Sequence, residues 1–175
     1  MDARTGSLGR ASARSDALSD LTLLIFEVDG HRYALRASEV MEILRAALPS
    51  RLAQAPDVIE GALNIRGRIA AVLDIRARFA LPRRALRASD VLIVCSANER
   101  LLALRADTIV DIIKVPASAL ADARKPSGRS AYVHGVVALA DGLLLIADVP
   151  AFLNATEQEA LARALAALPG GEQAR

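Results

Sequence analysis

The chain has no tryptophan, one cysteine, two histidines and five aromatic residues among its 175 (Phe26, Tyr33, Phe79, Tyr132, Phe152). Each scarcity excludes something. A single Cys95 inside the apolar run VLIVC rules out a disulfide framework within one chain and fits a reducing compartment. His31 and His134 stand far apart, with no second histidine or cysteine at ligand spacing, so no metal site is expected. So few aromatic rings leave little on which exposed bases could stack. No apolar run reaches the roughly 20 residues that cross a bilayer. The longest candidate, Val136 to Ala147, is broken by Asp141 and Gly142. The opening MDARTGSLGRASARSDALSD has no apolar stretch of the signal-peptide kind, and a cytoplasmic protein is expected.

Catalytic signatures are equally sparse. GALNIRG holds Gly61 and Gly67 but no Gly-Lys-Ser/Thr ending, and it lies between strands rather than opening a helix, so it is not a phosphate loop. Cys95 sits in an apolar strand and reads as core. The carboxylates Glu39 and Glu42, and Asp107 and Asp111, read as solvated faces. No catalytic residue and no cofactor is expected.

What the chain does have is aliphatic bulk: hydrophobic residues make up 53% and mean hydropathy is +0.31. The 22 basic residues against 20 acidic ones leave a net charge of only +2, and all the basic residues but Lys114 and Lys125 are arginine. A pI near 9.1 is therefore weak support for a nucleic-acid partner. Residues 1–20 read as a polar arm. From Leu21 onward, short apolar runs alternate with turn signals, the texture of strands. LTLLIFEV, Asp29-Gly30 and HRYALR form a hairpin, and VIEGALNI, Arg66-Gly67 and IAAVLDI form a second. Between them, ASEVMEIL reads as a helical turn at Ser38 leading into a strand. Arg76, Arg78, Arg83, Arg84 and Arg87 then make a basic connection, read as solvated linker. Near the end, Thr156 and Glu159 have capping-box spacing, and Leu161, Leu165 and Leu168 follow at helical spacing, predicting a helix over 156–168 and a tail over 169–175.

The layout repeats. ALRASEVMEIL at 34–44 aligns without a gap on ALRADTIVDII at 103–113, and Gly61 through Asp74 corresponds in order to Gly135 through Asp148. A unit of this size buries little core alone, so two small β-barrels packed together are expected. The fold expected is mainly β: two barrels packed together, the first over about 34–85 and the second over about 90–153, with short helices and a C-terminal helix.

The succession LLIFEVDGHRYAL, VMEIL, VIEGALNIRGRIAAVLDIRARF, ALRADTIVDIIKVP and HGVVALADGLLLIADVPAFL resembles the CheW-type chemotaxis coupling proteins over roughly 21–168. The resemblance implies that the two barrels are intertwined, five-stranded and SH3-like, with an apolar groove between them. It also implies a non-catalytic adaptor bridging the cytoplasmic tip of methyl-accepting chemoreceptors to the histidine kinase CheA, in the cytoplasm at membrane receptor arrays. Nucleic acid and membrane insertion are not implied. Carried over by position, Glu42, Gly61, Asn64, Arg66, Gly67, Asp74, Asp107 and Gly135 match family positions and are expected at partner interfaces. Val40, Ile43, Ile59 and Ile109 are expected to line the receptor groove. Ala34 and Ala71 stand where the family often has glycine and proline, and Ile65 where its turn has leucine. An adaptor for a non-flagellar chemosensory pathway (twitching, biofilm or second-messenger output) fits the same residues. A small-barrel nucleic-acid binder is the reading from another class.

Overall fold

In the computed structural model, which describes residues 20–122 and 131–168, eleven strands form two sheets. The expected N-terminal arm, apart from Asp20, and the 169–175 tail lie outside the described residues. In chain order the strands are β1 (Asp20–Val28), β2 (His31–Arg36), β3 (Val40–Arg45), β4 (Ile59–Ile65), β5 (Arg68–Leu73), β6 (Val91–Ala97), β7 (Arg100–Ala106), β8 (Thr108–Pro116), β9 (Leu120–Asp122), β10 (Val133–Leu139) and β11 (Gly142–Ala147), and one helix, α1 (Ala155–Ala166), follows. Among the described residues, no helix is long and apolar enough to cross a membrane.

Three hairpins close through two-residue turns with both central residues at positive φ, the arrangement whose twist matches paired strands. Asp29-Gly30 (52° and 73°) and Arg66-Gly67 (53° and 84°) are the two expected. The third, Asn98-Glu99 (50° and 61°), joins β6 to β7 without any glycine. Residues Ala37–Glu39 form a 3-10 turn running straight into β3, as the short apolar spacing there predicts.

Sheet membership does not follow chain order. The first barrel is β3-β6-β7-β5-β4 and the second is β8-β1-β2-β11-β10-β9. Each repeat sends its leading hairpin into the other repeat's barrel. Hairpin β1–β2 pairs with β8 and, in parallel, with β11, whereas β6–β7 pairs with β3 and, in parallel, with β5. The expected span 90–153 thus contains two strands of the first barrel and lacks two of the second. A strand pair bridging two sheets leaves neither barrel able to form without the other.

The repeat extends to irregularities. Met41 bulges out of the β3–β6 ladder and Val110 out of β8–β1, while Glu60 and His134 bulge at matching points of the β4–β5 and β10–β11 hairpins. Gly61 and Gly135 follow those last bulges, and each admits a crossing segment. A Cβ on Gly61 would sit 2.9 Å from the Ser50 carbonyl carbon, and one on Gly135 would sit 3.1 Å from the Ala121 carbonyl oxygen. These two segments bridge to Ala62 and pair with β10 respectively, closing the barrels.

Side-chain alternation divides the core in three. Leu92, Val94, Ala70 and Val72 fill the first barrel, and Leu23, Ile25, Val137 and Ile146 fill the second. The intervening residues Leu24, Phe26, Ile93, Cys95, Leu102 and Leu104 face a third, larger core shared by both. All five aromatic rings join there. Tyr33 stacks on Phe79 at 4.3 Å and approaches Phe26 at 5.9 Å, and Phe152 meets Phe79 at 6.0 Å and Tyr132 at 6.1 Å.

Helix α1 packs Leu161 and Leu165 on this shared core. Its cap is not the expected Thr156 and Glu159 pair. Asn154 accepts from the Glu157 N–H at 2.9 Å and Glu157 reaches back to the Asn154 N–H at 3.0 Å, so the helix starts one residue early. Phe152 in the shared core fixes the entry of the chain, and asparagine serves as an N-cap as well as threonine does. Arg78 fastens the helix further, donating to the Phe152 carbonyl at 2.8 Å and pairing with Glu157 at 2.5 Å, with its guanidinium over the Tyr132 ring.

Gly61→Ala is expected to destabilise the protein by about 2 kcal/mol or more, because a left-handed backbone and a rigid carbonyl oppose the methyl group together. Gly135→Ala should cost less, since its nearest obstacle is the flexible end of Leu120. Urea unfolding of both variants checks the order.

Candidate functional site

The mouth of the first barrel opens between β3, the β4–β5 turn and the ends of β6 and β7. A cavity of about 410 Å³ lies there, lined by Met41, Glu42, Ile65, Arg66, Arg68, Val94 and Leu101. Its floor is the barrel core itself, Ile65, Val94 and Leu101, and its rim is charged. Arg66 reaches across from the hairpin turn, its Nη2 2.9 Å from Glu42 Oε2, an ion pair not aligned as a hydrogen bond. The Arg66 side chain is 81% exposed and Glu42 25%. Such a pair adds at most about 1 kcal/mol to stability, so the charges held over this apolar floor contribute little to folding.

Local chemistry sets this turn. Asn64 Oδ1 accepts from the Gly67 N–H at 2.8 Å, bracing the tip, and Gly67 supplies one of the two positive φ values. Arg66 supplies the other at 53°, a conformation costing a non-glycine residue roughly 1 kcal/mol or more. Glu42 follows the Met41 bulge, which gives β3 an extra residue and leaves Met41 half-exposed on the rim.

Of the residues expected at interfaces, Glu42, Asn64, Arg66 and Gly67 come together here. Gly61 and Gly135 sit instead at the two barrel closures. Asp74 is 5% exposed and Asp107 is partly buried, both within an ion cluster beneath the surface. Among the groove residues, Ile59 is buried in the shared core, Val40 and Ile109 are partly buried against it, and Ile43 is exposed. Exposed apolar side chains also recur at matching positions on the two repeats: Met41 and Val110, Ile43 and Ile112, Ile69 and Leu143.

The ion cluster contradicts the reading of the basic connection as solvated linker at Arg76 and Arg84. Arg78 is partly buried in its pair with Glu157, while Arg83 and Arg87 are exposed as expected. Arg76 and Arg105 are fully buried. Arg105 donates to Asp74 at 2.9 Å and to the Arg84 carbonyl at 3.1 Å, and pairs with Glu60 at 2.8 Å. Arg84 holds both oxygens of Asp90, at 2.6 and 2.9 Å, and also reaches Asp107, as does Arg76. Burial alone would push the Asp107 carboxyl up. The Asp29 N–H and the two guanidiniums overcome it and hold the carboxyl below its ordinary range. The same contest ends the same way at Asp90, where Arg84 and the Arg87 N–H outweigh burial. At Glu60, burial prevails over Arg105, and its carboxyl titrates above its ordinary value. In the shared core, burial pushes the Cys95 thiol up to about 12, far from a nucleophile's range. Among the described residues, no group of three or more His, Cys, Asp or Glu could hold a metal ion.

A CheW-like domain family model matches residues 22–157, most of the chain. The chain belongs to the CheW-like domain family. It is 28% identical to the chemotaxis protein CheW of Klebsiella aerogenes, over 77% of this chain and 82% of that one. It is 26% identical to the chemotaxis protein CheW of Bacillus subtilis, over 75% and 86% respectively. The crystal structure of the scaffolding protein TtCheW from Thermoanaerobacter tengcongensis superposes with a TM-score of 0.71 at 20% identity, covering 79% of this chain and 91% of that one. The expected fold class, two SH3-like barrels in a mainly β chain, is therefore established for the CheW-like domain described here.

Sequence reasoning missed Met41, Arg68 and Leu101 at the mouth, and it missed the ion cluster. One signal for the cluster was available: Arg105 lies in RLLALRA, a strand buried throughout except at its first residue, and an interior charge survives there only if paired.

Arg105→Met should destabilise the protein by about 3–5 kcal/mol by stranding Asp74 and Glu60, against less than about 1 kcal/mol for Arg66→Ala. Stability measured against pH adds a signed test. Asp90 and Asp107 have depressed carboxyls, so their contribution is complete above the unfolded carboxylate range near 4 and is lost as pH falls through their lower folded values. Glu60 acts oppositely: its penalty grows as pH rises past its unfolded value and is relieved on acidification. Glu60→Gln should accordingly steepen the acid-side loss.

Proposed function

We propose that this chain is a non-catalytic adaptor that couples methyl-accepting chemoreceptors to the histidine kinase CheA. The observation that carries the reading is the first-barrel mouth: an apolar floor and a charged rim with an exposed arginine at the hairpin turn. Surfaces of this kind, an apolar centre with arginine beside it, are where binding energy concentrates in protein interfaces. Family membership over 22–157 and the chemotaxis names of the relatives supply the pathway.

In this reading the kinase's regulatory domain docks on the mouth, with Glu42 orienting Arg66 toward it. The receptor's helical tip lies along β3 and β8, where Val40 and Ile109 emerge from the shared core and Met41, Ile43, Val110 and Ile112 offer apolar anchors. An adaptor working this way needs no reactive group. It favours whichever kinase and receptor states fit both surfaces, shifting populations by its difference in affinity. The nucleic-acid alternative is disfavoured by the aromatic residues, since all five rings pack into the inter-barrel ladder rather than offering stacking platforms.

Arg66→Ala is expected to weaken ternary assembly by about 1–3 kcal/mol, the range of an interface hot spot, without lowering thermal stability. Reconstituted kinase autophosphorylation with receptor signalling tips, with and without this protein, is the decisive measurement. Equal kinase response in both cases overturns the reading, and undiminished pull-down by the variant overturns the role of Arg66.

A further inference from the structure

We propose that Asp107 is a latch that fixes the angle between the two barrels. The chain passes from one barrel to the other at two equivalent places. At the first, the 3-10 turn Ala37–Glu39 separates β2 of the second barrel from β3 of the first, with exposed Ser38 at its centre. At the second, Asp107 alone separates β7 of the first barrel from β8 of the second, and it aligns with Ser38 in the repeat. Only this crossover carries a charge at that position.

Asp107 uses its N–H and both carboxylate oxygens, and it uses them in opposite directions. Its N–H donates to the Glu27 carbonyl at 2.8 Å, and its Oδ2 accepts from the Asp29 N–H at 2.7 Å. Both belong to the β1–β2 hairpin of the second barrel. Its Oδ1 accepts from Arg76, which follows β5 of the first barrel, and from Arg84, which Asp90 anchors beside β6. The two guanidiniums are themselves held: Arg76 is fully buried, and Arg84 grips both oxygens of buried Asp90. One carboxylate thus ties the tip of a second-barrel hairpin to a fixed charge cluster on the first barrel. Shared apolar packing resists separation of the barrels through a force that is not itself directional, and charge-assisted hydrogen bonds at the crossover add a directional restraint on the angle of rotation.

The test measures geometry rather than stability. With Cys95→Ala as background, nitroxide labels on cysteines at Asn98, in the first barrel, and Ala138, in the second, report the inter-barrel distance by pulsed electron resonance. Asp107→Ser gives the second crossover the residue that the first has at the aligned position. It is expected to broaden the distance distribution about twofold, as when a contact that fixes a hinge is removed. Arg84→Gln, which removes one first-barrel arm, should broaden it in the same direction, and Asp111→Ser on the exposed side of β8 should not. A distribution unchanged by Asp107→Ser, even with a lowered melting temperature, overturns the proposal by making the cluster a source of stability alone. If Asp107→Ser does not fold, Arg84→Gln decides: an unchanged distribution there overturns the latch equally.

Discussion

The two exchanged hairpins bury both faces, and the rest of the fold follows from that constraint. In β1, β2, β6 and β7 one set of alternate residues fills a barrel and the other set fills the core between barrels. A strand covered on both sides reads as a continuous apolar run rather than an alternating one. That is why LTLLIFEV and VLIVCSA carry almost no charge in their centres. It is also why the two hairpins exchange partners: a hairpin with two apolar faces is satisfied only between two sheets. Neither barrel then has an independent core large enough to stand alone, and a chain of two repeats behaves as one folding unit.

The same constraint makes the seven-residue ion cluster a singular feature. Its three arginines and four carboxylates (Arg76, Arg84, Arg105, Glu60, Asp74, Asp90, Asp107) sit where the chain leaves the first barrel, returns through the linker and crosses to the second. Desolvation costs several kcal/mol per ion, and only dense pairing offsets it. Removing one member strands the others, so the cluster is close to all-or-none. Pairing is incomplete at Glu60 Oε2, Arg76 Nε, Arg105 Nε and Arg105 Nη1, which are buried without a hydrogen-bond partner, and the Glu60 carboxyl is raised by burial.

Strands, turns and the repeat were legible because they are written in local patterns. Asp29-Gly30 and Arg66-Gly67 announce hairpins, and the matched runs 34–44 and 103–113 announce duplication. What local patterns do not encode is which barrel a hairpin joins, since both barrels offer the same apolar edge. The aromatic ladder was illegible for a similar reason, because Phe26, Phe79 and Phe152 are far apart in the chain and meet only through the exchange. The basic connection misled because arginines spaced along a Pro- and Ala-containing segment look solvated until their carboxylate partners, distant in sequence, are placed beside them. At the mouth, Glu42 and Arg66 were identifiable through a resemblance, whereas their contact across the barrel required the closure made by Ser50 and Ala62.

Duplication also bears on why, among the described residues, the candidate site lies at the first-barrel mouth. In the second barrel the position of Arg66 is held by Ala140 and that of Glu42 by Asp111, so the bridge over the first mouth has no counterpart. Instead Arg32 pairs with Asp141, at positions where the first barrel has Leu101 and Gly67. The apolar exposed residues were kept at matching positions, but the ion pairs were not. Like apolar patches framed by different charges bind surfaces of similar shape and unlike charge, because burying a mispaired charge costs more than the patch returns. Two barrels built alike therefore present two chemically distinct ends, which is what a protein joining two different partners requires and what a symmetric dimerisation module would not have.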